Sequence, residues 1–336
     1  MRIIPICEPV LPPRLLLRVL RGAHGLLPLG LGLLLAACGG PQPVGSGSPP
    51  EAGRRLQVVT TFLPITLFTR AVAGECATVT ALIPPNTSPH DVQARPADVA
   101  RLSQAAVLVK NGLGMEDFLV KLVASAENPD LRVIDSSTGV ATLENPEPSH
   151  DDHDHHDHGH AHGPVNPHVW LDPLRAVQQV ETIRDGLAQA DPACADGYRR
   201  NAAAFTAQLR GMHAELATQL RPFRGKTFVA FHDVAPYFAE RYGLKAAFLV
   251  DVPELNPSPA DLRRVAEVVK ASDLQALLSE PQQGQRSFNA LARDLGVRIS
   301  EFDPLETGSE EASRAPDTYL LVMRRNAANL VQAFGG

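Results

Sequence analysis

The chain has 336 residues, 44% hydrophobic and 20% charged, which is enough to bury the cores of about two domains. Its 31 Lys and Arg against 37 Asp and Glu leave a net charge of −6. That balance argues against a basic, nucleic-acid-binding surface and is compatible with a cation as ligand.

The N-terminus reads as an export signal. Arg14, Arg18 and Arg21 precede an apolar stretch, Leu26 to Ala37, that is short against the ~20 residues of a transmembrane helix. Leu35-Ala36-Ala37-Cys38 resembles the lipobox of bacterial lipoproteins, in which the Cys is acylated. A plain signal peptide or an uncleaved anchor is the alternative. Residues 1–37 are therefore expected to be a lipoprotein signal peptide. Residues 38–55, rich in Gly, Pro and Ser, are expected to be a flexible tether. The protein would be exported and held on the periplasmic or outer face of a bacterial membrane, touching it through the lipid on Cys38 alone.

Short apolar runs then alternate with helical patterns. Strands are predicted at Leu56–Phe62, Thr78–Ile83, Ala106–Lys110 and Leu131–Ile134, with helices at Ile65–Ala73, Ala97–Ser103 and Met115–Ala126. A helix with proline at its start follows over Pro173–Ala190, and a long one over Ala193–Leu220. The alternation restarts with strands Lys226–Phe231, Ala246–Val250, Ala276–Ser279 and Val297–Phe302. Helices fall at Ala235–Tyr242, Pro259–Ala271, Gln285–Leu295 and Pro316–Phe334. The expected fold is α/β: two lobes, each a roughly four-stranded parallel sheet flanked by helices, joined by one long helix. The lobes span residues 56–192 and 222–336, the linking helix 193–221, and a mobile His-rich loop 144–165 interrupts the first lobe.

Histidine is concentrated in that loop. His150, His153, His155, His156, His158, His160 and His162 lie among aspartates, with no apolar residue larger than alanine between them. Such a tract cannot bury itself, and is expected to take up metal weakly or to be a passive solvated loop. Outside it, the chain past Cys38 holds His90, His168, His213 and His232. Ligands of open α/β sheets bind beyond the carboxyl ends of the strands. His90 follows the second strand across a proline-rich loop, His168 follows the fourth by way of the tract, and His232 and Asp303 directly follow strands of the second lobe. Three imidazoles and a carboxylate would complete a tetrahedral Zn2+ site whose affinity falls below a pH of about 6.5. Glu280, also at a strand end, is a candidate outer-shell partner. Asp172 competes as carboxylate but better suits capping the helix at Pro173. Trp170 is expected to pack, and His213 to sit on the surface of the long helix.

Cys76 and Cys194 both map to the sheet edge away from these ligands. A disulfide between them is possible, and neither should contact metal.

Seven blocks resemble, in order, one known family: P-P-N-T-S-P-H-D, A-R-P-A-D-V-A-R-L, V-K-N-G-L-G-M-E, N-P-H-V-W-L-D-P, F-H-D-V-A-P-Y-F, S-E-P-Q and D-P-L-E. The chain resembles the zinc-specific branch of the metal-binding (cluster A-I) substrate-binding proteins of bacterial ABC importers, from Leu56 to the C-terminus. The resemblance implies His90, His168, His232 and Asp303 as ligands, and no enzymatic activity. It implies a monomeric receptor that passes Zn2+ to an ABC permease and its ATPase. Manganese members carry a carboxylate where this chain has His232. The cysteine pair near the last two strands of some zinc members is absent here. A manganese or iron receptor or an adhesin of the same fold is the nearest alternative. An exported zinc hydrolase is the more distant one, since a catalytic zinc keeps an open position and needs a base.

Overall fold

The central strands are buried along nearly their whole length, as they must be when both faces of a sheet are covered, and in the first lobe successive residues enter two different apolar clusters. Val58, Val107 and Val109 enter one apolar cluster, while their neighbours Val59 and Leu108 enter another on the opposite face. Parallel strands need this, because their crossover helices must lie on the faces. The structure, a computed structural model, describes residues 55–145, 163–252, 256–272, 274–281 and 285–336. The expected signal segment, the expected lipobox with Cys38 and the His tract at 150–162 lie outside the described residues.

The first lobe holds β1 (Leu56–Thr60), α1 (Leu63–Ala73), β2 (Ala77–Ala81), α2 (Pro96–Gln104), β3 (Val107–Lys110), α3 (Leu119–Ser125) and β4 (Arg132–Asp135). Its strands are all parallel, in the order β2-β1-β3-β4. Next come α4 (Pro173–Ala190) and α5 (Ala195–Leu220). The second lobe holds β5 (Thr227–His232), α6 (Pro236–Tyr242), β6 (Lys245–Val250), α7 (Pro259–Ser272), β7 (Ala276–Ser279), α8 (Gln285–Leu295) and β8 (Arg298–Glu301). It closes with α9 (Glu310–Arg314) and α10 (Thr318–Ala333), and its parallel sheet runs β6-β5-β7-β8. Both orders reverse beside the first strand of the lobe, which is where α/β sheets open a crevice for ligands. Residues 53–336 pack as one unit, and a single apolar cluster runs through both lobes.

The departures from expectation have local causes. The long helix starts at Ala195 because Pro192–Cys194 form a 3-10 turn. The helix expected from Met115 starts at Leu119, because Gly112, Leu113 and Gly114 all take positive φ (90°, 59° and 81°). A Cβ at Gly112 would collide with the Asp135 carboxylate, so the turn requires glycine there. Helix α9, which no hydrophobic period announces, is capped by Ser309.

Cys76, at the amino end of β2, is bonded to Cys194, with their Cα atoms 6.1 Å apart. Polar contacts also tie the lobes together. Asp172 caps α4 through Leu174 N and takes both a 2.8 Å and a 2.6 Å hydrogen bond from Arg241 of α6. Arg175 adds bonds to Asp172 and Glu240. Among the described residues, no helix is long and apolar enough to cross a membrane.

Candidate metal centre

His232 is the last residue of β5, so its position is set by the strand ladder itself. His90 stands at the end of the loop that leaves β2. That loop is stiffened by Pro84, Pro85 and Pro89, closed by Thr87 N to Pro84 O, and held to the second lobe by Gly308 N to Pro85 O. His168 precedes the 3-10 turn Val169–Leu171, where Trp170 packs edge-on against it at 5.1 Å and donates Nε1 to Pro304 O. Trp170 thus packs, as expected.

The three rings converge. Candidate ligand atoms of His90, His168, His232 and Glu306 all lie within 4.8 Å of one another. The Nε2 atoms stand 2.9 Å (His90), 3.1 Å (His168) and 3.5 Å (His232) from Glu306 Oε1. Ligands bound to zinc at about 2.0–2.1 Å in a tetrahedron are separated by about 3.3 Å, so these spacings suit that ion with little movement. His232 Nε2 is buried with no hydrogen-bond partner, as a donor atom awaiting a cation would be.

The carboxylate at the cluster is Glu306, not Asp303. The backbone N–H of Leu305 and the Arg325 guanidinium donate to the two oxygens of Asp303, at 2.8 and 2.7 Å. The Asn326 side chain brackets its backbone. Asp303 thus closes the turn in which Leu305 takes φ 63°, and that turn carries Glu306 into the cleft. Burial pushes the Asp303 carboxyl up to about 6. Sequence reasoning took the first carboxylate after the strand. The only hint of the second was its presence in the same D-P-L-E block.

Outer contacts decide which ring nitrogen faces the ion. His168 Nδ1 bonds to Asn166 Oδ1 at 2.8 Å, and His232 Nδ1 bonds to Glu280 Oε1 at 2.5 Å. Each leaves Nε2 for the centre, the arrangement common around protein-bound zinc. Glu280 therefore stands where an outer-shell partner belongs. Burial lowers the His168 imidazole to about 4, so it is neutral and fit to bind metal near neutral pH. Burial would lower His232 too, but the Glu280 and Glu306 carboxylates outweigh it and hold this ring well above its usual range. Burial would raise Glu306, yet the imidazoles, His90 foremost, hold it well below the usual carboxylate range. Two buried carboxylates beside three rings leave a negative centre once the rings are neutral, which a dication balances.

The other candidates lie elsewhere. The disulfide engages both Cys76 and Cys194, so no thiol from them faces the rings. His213 is half-buried, not superficial: its ring stacks on Tyr242 of α6 at 5.8 Å.

The family model of zinc-uptake complex component A, periplasmic (ZnuA), matches residues 58–333. The zinc-binding lipoprotein AdcA of Streptococcus pneumoniae is 33% identical over 303 residues, which make up 90% of this chain and 60% of AdcA. This chain thus spans about 60% of the length of that relative. The high-affinity zinc uptake system protein ZnuA of Bacillus subtilis is 30% identical, with 88% of this chain and 92% of that protein matched. The crystal structure of Zn(II)-bound AdcA from S. pneumoniae superposes with a TM-score of 0.70 at 31% identity, over 83% of this chain and 58% of that one. With the matched model covering both sheets and all four residues of the cluster, the chain belongs to the ZnuA family of zinc-uptake components.

Proposed function

We propose that this protein is an exported, lipid-anchored receptor that binds one Zn2+ between its lobes and delivers it to an ABC permease. The observation that carries the reading is the convergence of three imidazole Nε2 atoms on Glu306 within 3.5 Å in a buried cleft. His90, His168, His232 and Glu306 are the proposed ligands, and Glu280 orients His232 from behind. Four protein ligands fill a tetrahedral shell and leave no position for a reacting water, which favours binding over hydrolysis. An imidazole-rich set also suits zinc better than manganese. Cys38 is the proposed lipid attachment point. His150, His153, His155, His156, His158, His160 and His162 are proposed as a weak auxiliary zinc collector.

The test is zinc uptake in a bacterial strain lacking its own receptor but expressing this chain with its cognate permease. Wild-type protein should restore uptake at limiting zinc and His232→Ala should not. Equal uptake by the two would contradict the reading. Replacing Cys38 with Ser should release the protein from the membrane while leaving its zinc affinity unchanged.

A further inference from the structure

Behind His168 lies a chain of buried polar contacts that reaches a carboxylate remote from the metal ligands. Pro167 O accepts a 3.0 Å hydrogen bond from Asn111 Nδ2, at the carboxyl end of β3. Asn111 Oδ1 accepts from Gln179 Nε2 of α4 at 3.0 Å. The backbone of Asn111 is held in turn by Glu116. Asn111 N donates to Glu116 Oε1 at 2.7 Å, Gly112 N to Oε2 at 2.9 Å, and Thr61 Oγ1 to Oε1 at 2.8 Å. Glu116, Asn111 and Gln179 are all buried.

We infer that Glu116 is a positioning residue of the metal site: it fixes the Asn111–Gly114 turn, so that Asn111 pins the Pro167 carbonyl and thereby sets where the His168 ring stands. Three residues of that turn have positive φ. Gly112 and Gly114 take such φ freely, but Leu113 does not, so the turn needs its surroundings to hold it, and the carboxylate supplies two of the bonds that do so. Asn166 fixes the rotation of the His168 ring through Nδ1, whereas Asn111 fixes the peptide from which the ring springs. Burial pushes the Glu116 carboxyl up to about 7 although Asn111 N, Thr61 Oγ1 and Gly112 N all donate to it.

Glutamine has the same shape but one acceptor. In Glu116→Gln, Oε1 can still receive Thr61 and Asn111, but the amide NH2 faces Gly112 N, and the turn loses its hold there. Partners outside the ligand shell typically contribute about 10–100-fold to metal affinity, and this one acts through an intermediary, so about tenfold weaker zinc binding is expected.

The inference rests on His168 being a ligand, and the experiment keeps the two claims apart. Glu116→Gln, Asn111→Ala, the double variant and His168→Ala are titrated with zinc against a chromophoric chelator, and the Co2+-loaded proteins are compared by their visible ligand-field bands. Glu116→Gln and Asn111→Ala should each weaken zinc about tenfold and alter the Co2+ bands, with the apo-proteins still folded. In the double variant the two losses should not multiply, because one contact transmits both. Wild-type affinity and bands in both single variants, or fully multiplying losses, would overturn the inference. If Glu116→Gln does not fold, Asn111→Ala decides alone, since unchanged bands there refute the transmission. Undiminished zinc binding by His168→Ala would instead overturn the site reading itself.

Discussion

Consider removal of the disulfide by replacing Cys76 and Cys194 with serine. The bridge closes a loop across a sequence separation of 118 residues. In the chain-entropy model a loop of that size removes enough freedom from the unfolded chain to stabilise the fold by about 5 kcal/mol, the upper end of the usual range. The fold should survive, because α1 and α5 remain in contact and Asn201 Nδ2 still donates to Val72 O at 3.0 Å. Cys76 precedes β2 at its amino end, whereas His90 lies beyond its carboxyl end, so the perturbation acts at the edge away from the metal. Guanidinium unfolding of the apo-protein without reductant should show a loss of roughly 3–5 kcal/mol, and a zinc titration should give the wild-type affinity within about twofold. An unchanged unfolding free energy would refute the loop argument. A folded variant with tenfold weaker zinc would refute the separation of bridge and site.

Other consequences follow from the same contacts. Arg241→Met strips Asp172 of two hydrogen bonds but leaves Arg175 in place. Breaking a buried pair costs about 3–5 kcal/mol; since Arg241 is 30% exposed and partly screened, we expect about 2 kcal/mol in chemical unfolding, and no change would refute the clamp. The folded-state value of His168 is lowered from 6.5 to about 4, so the unfolded chain binds that proton first as pH falls. The apo-protein should thus lose up to about 3 kcal/mol between roughly pH 6.5 and 4 from this ring, a loss that His168→Ala should remove and that bound zinc should deepen, because a ligated ring cannot take the proton. His232 is shifted the other way, so zinc must displace its proton near neutral pH. Calorimetry in buffers of different ionisation enthalpy at pH 7 should detect this release, and zinc affinity should rise with pH through neutrality, not only below 6.5 as the bare sequence implied. Asp303→Asn should disturb the turn at Arg325 and leave zinc binding within a few-fold, while Glu306→Gln should cost more than the roughly 10–100-fold of an outer-shell loss. The reverse ranking would restore Asp303 as the ligand.

The lobes were legible because their strands are short apolar runs separated by helical periods, and because parallel sheets put their ligands at one edge. His90, His168 and His232 were legible for the same reason: each follows a strand end. Glu280 was legible as the carboxylate ending β7. Glu306 was not. Which of two carboxylates in D-P-L-E enters the cleft depends on the left-handed Leu305, and neither Gly nor Asn announces that conformation. Glu116 was hidden for a related reason, since it reads as one more residue of a helix that in fact begins three residues later. His213 looked superficial because the partner that half-buries it, Tyr242, belongs to a helix of the second lobe, outside the linking helix. Contacts between distant segments leave no periodic trace in sequence.

The central claim is that three imidazoles and Glu306 hold one zinc ion. X-ray absorption at the zinc edge, on full-length protein loaded with one equivalent, tests it most directly. The account predicts a four-coordinate first shell of nitrogen and oxygen at about 2.0–2.1 Å, with outer-shell scattering from three imidazoles and no sulfur. A sulfur scatterer at about 2.3 Å, or a shell with fewer than three imidazoles, would contradict it.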